Sequence, residues 1–363
     1  MDIRHVILAI VGITLIGVFF RSIIRVALIN KRPDDVLLNL AGVLTAFLFI
    51  RPPSKAADRR RMDQRGLWYW PISQLILIAI WFCLVVIGFA CLYWAAQSVP
   101  TVEEAFIASG SALSTLGFAT PADVPGQVLA VVQGMIGLGI VVFVFTFIPG
   151  YLSAIQQRDD QVAWVYARAG ADPTGSGLLD WLVAAGRTDA LDATWETWET
   201  WFRTMGESQV LSPLIAFDRS VRRGESWVTA CGAMLDAAAF ASTSLGARGR
   251  AAAHICVATG EQALLMIEEA LAPALRRIPK DVAVPAFDAA GYDALRARMA
   301  AAGVDLHGDR ETALAAFLAR RERYARMITR LGLAITPGHE LAAWSLRTPG
   351  DDVLDEEPTA RDG

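Results

Sequence analysis

Three long apolar runs constrain this chain more than any other feature. Residues 6–29, 72–96 and 128–148 are each close to the length a helix needs to cross a bilayer, which is about 20 residues for a hydrocarbon layer ~30 Å thick. The first run is interrupted by Arg21 and Arg25, four apart and so on one helical face, where long stems can carry their charges to the headgroups. It does not read as a signal peptide, because no small-residue cleavage site follows and its basic residues come after the apolar stretch. A fourth run, residues 36–50, suits an interfacial or re-entrant helix better than a spanning one.

Basic residues set the expected orientation. Arg51, Lys55, Arg59, Arg60, Arg61 and Arg65 cluster in what reads as one short loop, which places that loop in the cytoplasm. Three spans with the N-terminus outside then follow; four spans with the N-terminus inside stay open if residues 36–50 cross. Trp68, Tyr69 and Trp70 precede the 72–96 run, and Tyr93 and Trp94 close it, as aromatic residues do at the two faces of a membrane. The 128–148 run returns the chain, so residues from 156 onward are expected in the cytoplasm, where reduced Cys231 and Cys256 belong.

Composition sharpens the division. The chain has 363 residues, more than one core usually holds, so two units are expected. Hydrophobic types make up 54% and charged types 19%, and most of the acids fall after residue 155. A net charge of −4 argues against a nucleic-acid binder. Cys83, Cys91, Cys231 and Cys256 form no CxxC pair, and His5, His254, His307 and His339 have no metal spacing. Residues 170–177 lack the Gly-Lys-Ser/Thr ending of a phosphate loop. No nucleophile–base pair emerges, so neither an enzyme nor a cofactor is expected.

The second half reads as helical throughout, with no alternating strand pattern. Ser226 is a candidate N-cap for a buried helix over 227–241, and 320–330 reads as a basic amphipathic helix. Trp195, Trp198 and Trp201, three apart, read as a helix face packed on its neighbours. Asp236, His254 and Glu261 are candidates for a buried polar group, as either a satisfied network or a ligand or proton sensor. From residue 348 the chain is acidic and is expected to be disordered.

The functional signal lies between the second and third runs. Residues 101–121 are too polar and short to cross, yet too apolar for an ordinary exposed loop. Thr101 and Glu104 have capping-box spacing, and Glu103 and Glu104 suit the positive end of a helix dipole. About three turns would follow, to Leu113 or Ser114, by a count of 3.6 residues per turn. The chain would dip partway into the membrane and return extended, which is tolerated only where protein buries it or it lines a watery cavity. Thr115 to Ala119 would then turn successive carbonyls, and the Thr115 hydroxyl, towards an axis, as in filters that replace a cation's hydration shell. A buried turn in a non-conducting bundle is the plainer alternative.

Thr115-Leu116-Gly117-Phe118-Ala119 resembles the filter motif Thr-Val-Gly-Tyr-Gly of the potassium channels, held between two spans as in their pore module. The chain is most similar to a bacterial branch of pore-domain channels with an added N-terminal span and a helical cytoplasmic region. Gly134-Met-Ile-Gly-Leu-Gly139 and Phe147-Ile-Pro-Gly-Tyr-Leu152 add to the likeness, which covers about residues 70–155 and more weakly 156–275. The resemblance implies an all-α membrane protein. Residues 1–66 would form an N-terminal transmembrane helix and linker. Residues 67–155 would form the pore module, with outer helix 71–97, pore helix 101–114 (Thr101, Glu104, Ser111, Ser114), filter 115–120 and inner helix 126–150. Residues 156–347 would be a helical cytoplasmic domain and 348–363 a tail.

It also implies a homotetramer in the plasma membrane, with potassium held by Thr115, Leu116, Gly117 and Phe118 and no resident cofactor. A cytoplasmic regulatory ligand is compatible with it. Three departures from the motif bear on selectivity. Ala119 replaces a glycine at a position expected to need the left-handed region, at about 1–2 kcal/mol. Thr120 stands where a carboxylate usually follows, with Asp123 only a partial substitute. Phe118 lacks the tyrosine hydroxyl that tethers the filter sideways. A non-selective or sodium-permeable channel, or a non-conducting membrane scaffold of the same architecture, are the alternatives.

On the inner helix, Gln133 either faces the cavity or makes a helix–helix hydrogen bond. Gly134, Gly137 and Gly139 form either a hinge or a close-packing face. Thr146 is a further cavity candidate, and Phe143, Phe145 and Phe147 could form a constriction or pack in the core. Pro149 and Gly150 are expected to end or bend the helix.

Overall fold

A computed structural model describes residues 3–27, 35–49, 59–211, 213–217, 220, 222, 224–276, 278–284 and 287–335. The expected tail 348–363, and Lys31, Arg32, Arg51, Lys55 and His339, lie outside them. The described residues are helical, with one isolated antiparallel bridge between Leu245 and Leu306. The helices are α1 (Ile3–Ala27), α2 (Val36–Phe49), α3 (Arg59–Ala95), α4 (Val102–Leu113), α5 (Val124–Ala169), α6 (Gly175–Ala184), α7 (Leu191–Leu211), α8 (Trp227–Ser244), α9 (Ala247–Ala270), α10 (Ala272–Leu275), α11 (Ala289–Ala301) and α12 (Arg310–Ile335). The chain divides into two compact units, Met1–Ser153 and Ala154–Gly363.

Three helices, α1, α3 and α5, are long and apolar enough to cross a membrane. At 14 residues α2 is shorter; at 1.5 Å per residue it reaches only about 21 Å. Two expectations are corrected. α3 starts at Arg59, so Arg59, Arg60, Arg61 and Arg65 ride on a helix rather than a loop, as fits a stretch of good helix formers. α5 neither ends at Pro149 nor at residue 150: it runs 46 residues through the proline to Ala169. A proline removes one backbone hydrogen bond, and the helix continues past that gap.

In the first unit, α1 and α3 meet across glycines. A Cβ on Gly12 would lie 2.6 Å from the Gly88 carbonyl oxygen, and one on Gly88 would lie 2.9 Å from Ile16. Small residues permit such close approach where no hydrophobic drive operates between helices. Beside that crossing, Trp81 Nε1 donates to Ser22 Oγ (3.0 Å) and Ser22 donates to Asp35 Oδ1 (2.9 Å). The same carboxylate oxygen accepts the amides of Leu37 and Leu38, capping α2. All three of these side chains are buried.

The second unit is built around α8, every residue of which is buried. Ser226 caps it by accepting from the Thr229 amide. α6, α9 and α12 pack on α8, and α7 packs on α9. Trp195, Trp198 and Trp201 are buried in this core, as their spacing implied, and the last 16 residues of α5 contribute Val162 and Val165. Asp236 is fully buried in α8. Arg321 donates to its Oδ2 (3.3 Å) and the Tyr324 hydroxyl to its Oδ1 (2.6 Å). Burial first, and this carboxylate second, push the Tyr324 phenol well up. His254 and Glu261 do not join Asp236. They sit on α9 facing α12, where Arg320 donates to His254 Nδ1 and Arg323 pairs with Glu261. Glu268, seven further along, pairs with Arg330. Among the described residues no three His, Cys, Asp or Glu side chains are grouped to hold a metal.

Candidate functional site

The site begins with α4. Thr101, extended at φ −125° and ψ 157°, caps it by accepting from the Glu104 amide (3.2 Å), and Glu103 and Glu104 occupy the first turn. Ala105, Ala108, Ser109, Ser111, Ala112 and Leu113 are buried. Ser109 Oγ donates to the Val86 carbonyl of α3 (2.9 Å) and accepts from Gln133 Nε2 of α5 (2.7 Å), so one hydroxyl joins three helices. Gln133 is therefore no cavity residue but a buried helix–helix tie, with its Oε1 unpartnered. Turning inward satisfies part of its buried amide.

The three candidate hinge glycines separate. A Cβ at Gly137 would lie 2.1 Å from the Leu113 carbonyl oxygen, so α5 touches the end of α4 there. At Gly134 the nearest atom, the Ala112 oxygen, is 3.5 Å away, an ordinary contact. At Gly139 and Gly150 nothing lies within 4 Å. Thr146 donates back to the Val142 carbonyl, a bond within its own helix. Phe143 packs on Trp81 and stacks on Phe147, which stacks on Tyr151, so two of the three phenylalanines have core roles. Phe145 is 76% exposed. Pro149 and Gly150 are exposed on the continuous helix.

Residues 115–120 follow α4 without regular structure. Thr115 has φ +57° and Gly117 has φ +67°. For a β-branched residue such as Thr115 this is costly, about 1–2 kcal/mol. Ala119 does not share it, which corrects the expected strain: among the described non-glycine residues only Gln97 and Thr115 have positive φ. The segment is laced back onto α4. The Thr115 amide donates to the Ala112 carbonyl (3.1 Å), the Gly117 amide to the Ser111 carbonyl (3.3 Å), and the Ala119 amide to Ser111 Oγ (2.9 Å). Ser114 Oγ also donates to the Ser111 carbonyl (3.2 Å). Among the described residues none donates to a carbonyl of residues 115–120. Leu116 and Phe118 are 72% and 70% exposed in the single chain.

Asp123 Oδ2 accepts from Ser98 Oγ (2.8 Å) and from the Gly126 amide (3.2 Å), so it caps α5 and ties the preceding turn to it. The Ser98 hydrogen bond, ahead of opposing burial, holds this carboxyl below its usual range. Asp123 thus stays ionised, but serves the cap. Thr120 is exposed.

Two features go beyond the reading of motifs. Ser111, expected only as a member of the pore helix, is the residue on which the segment hangs, and Ser-x-Ser in a short apolar helix four residues before Thr115 was the available sign of that. The other is an apolar seam on α5. Val128, Val131, Met135, Leu138, Val142 and Phe145 recur at alternating spacings of three and four and are all exposed. That periodicity was present in the 128–148 run. No family model, no curated protein and no solved structure matches this chain.

Proposed function

We propose that the chain is one subunit of a passive cation channel in the plasma membrane, with residues 115–120 of four copies surrounding a single path. The observation that carries this reading is a run of backbone carbonyls that accepts no hydrogen bond from the described residues of the subunit, while its amides are held on α4. Unpaired carbonyls at membrane depth are costly unless they meet water or an ion. α4 ends at this run, and the negative end of its dipole favours a cation there. Potassium, partly stripped of water, would pass between carbonyls of Thr115, Leu116, Gly117 and Phe118 by multi-ion relay. The exposed seam on α5, with Leu116 and Phe118, supplies the surface that further copies would cover.

The basic residues Arg59, Arg60, Arg61 and Arg65 support a cytoplasmic start for α3, and with it a cytoplasmic second unit. α5 carries residues of both units, and the second unit would bias opening through it. Its stimulus has no assigned chemistry. One observation favours weaker selectivity as a second reading: Ala119 lies outside the left-handed region that the motif's glycine would adopt.

Purified protein in liposomes tests the proposal. Potassium-dependent flux is expected, and Gly117→Val, which forces a branched side chain to φ +67°, abolishes it. No flux under any ionic condition would leave a non-conducting scaffold. Equal sodium and potassium permeabilities under bi-ionic conditions would establish the non-selective reading.

A further inference from the structure

We infer that Ser111 is the positioning residue that sets selectivity in residues 115–120, by holding their outer half from the side. The inference rests on the channel reading. Ser111 is fully buried in α4, and its two oxygens serve alternate positions of the segment. Its carbonyl accepts from the Gly117 amide (3.3 Å) and its hydroxyl accepts from the Ala119 amide (2.9 Å). Among the described residues, this hydroxyl is the side chain that bonds the segment. The Phe118 ring has no polar group and is exposed, and Asp123 is committed to Ser98 and Gly126.

Residues 117 and 119 flank Phe118, and both of their amides are held by the one residue Ser111. Fixing those two amides therefore fixes the peptide units between them. A carbonyl cage distinguishes ions of different size only while its spacing is held. Ala119 adds a second reason for the tether. Without glycine's freedom the segment cannot reach the left-handed geometry cheaply, and the hydroxyl stabilises the alternative backbone it does adopt.

Ser111→Ala and Ser111→Thr decide the matter in full-length protein reconstituted in liposomes. Ser111→Ala removes one oxygen and adds no bulk, and size exclusion in detergent checks that assembly is kept. Losing one hydrogen bond to a partly buried amide is expected to shift the potassium-to-sodium permeability ratio towards unity by about tenfold, with flux retained. Ser111→Thr keeps the hydroxyl and restores the ratio. A Ser111→Ala ratio equal to wild type, or a wild-type ratio already at unity, overturns the specificity role. Hydrogen–deuterium exchange of the peptide covering 115–121 separates this failure from failure of the channel reading. If wild type carries no flux, the channel reading falls by itself. Faster exchange in Ser111→Ala then sustains the tether, and unchanged exchange overturns it.

Discussion

The two units of this chain solve the same packing problem in different ways. The first leaves many apolar side chains outside: Met135 is 69% exposed, and it lies on a seam of exposed Val, Met, Leu and Phe residues along α5. Its interior sets an apolar cluster around Phe19, Leu77, Trp81 and Tyr93 beside glycine contacts and small polar ties, Gly12 on Gly88, Gly137 on Leu113, Trp81–Ser22–Asp35 and Val86–Ser109–Gln133. The second unit buries aromatics such as Trp195, Trp198, Phe240 and Tyr292 and keeps most of its charges outside. Its buried carboxylate, Asp236, accepts from Arg321 and Tyr324. Removal of apolar surface from water drives the second arrangement. In the first, whose three long helices are apolar enough to cross a membrane, close van der Waals contact and interhelical hydrogen bonds carry more of the packing. Residues 115–120 follow the first pattern, since they are held by backbone and hydroxyl bonds to α4 rather than by packed side chains.

Three measurements would break or sharpen this contrast. The largest effect is expected in the second unit. Asp236→Ala strips the Arg321 guanidinium and the Tyr324 hydroxyl of a shared buried carboxylate, which should cost about 3–5 kcal/mol. A denaturant melt followed by tryptophan fluorescence would show it. A loss below 1 kcal/mol, on the scale of surface pairs, would mean the pair is not buried as described.

In the first unit Gly137→Ala places a methyl group against the Leu113 carbonyl and should cost about 1–3 kcal/mol in thermal stability in detergent. Gly139→Ala, with open space around it, should be neutral or stabilising by up to about 1 kcal/mol, because alanine favours a helix. Equal effects at the two positions would remove close approach as the organising force.

The smallest effect is a pH dependence at His254. Partial desolvation first, and Arg320 second, hold its pKa below the usual value. The folded state therefore prefers the neutral ring. This contribution is complete above the unfolded value, about 6.5, and is lost as pH falls through the lowered folded value. The second unit should melt slightly earlier as pH drops through that window, and His254→Gln should abolish the difference. A wild-type melt flat over the same window would contradict the pairing.

Much of this fold was legible in residue order. The three long apolar runs, the Thr101 cap with its two glutamates, the Ser226 cap and the wholly buried α8 all follow from local composition and spacing. Other features were not. Gln133 was equally at home facing a cavity or a neighbour, and only the approach of Ser109, 24 residues away, decided it. Gly134, Gly137 and Gly139 look alike in sequence, yet one touches a carbonyl and another faces open space. The expected strain at Ala119 was absent and strain sat at Thr115 instead, because the path of an irregular segment depends on which amides find acceptors. Pro149 and Gly150 marked an end or a bend, and the helix does not end there.

Residue order by itself determined what is short-range: helical period, cap chemistry, the length of each apolar run and the tally of charges beside it. Those properties arise among neighbours a few positions apart, where the backbone leaves few options. Tertiary structure alone decided which face of α5 meets α4, which oxygen receives the Ala119 amide and where Asp236 finds its partners. Such choices compare contacts between residues up to 88 positions apart, and their free energies depend on closure and fit that no local window contains.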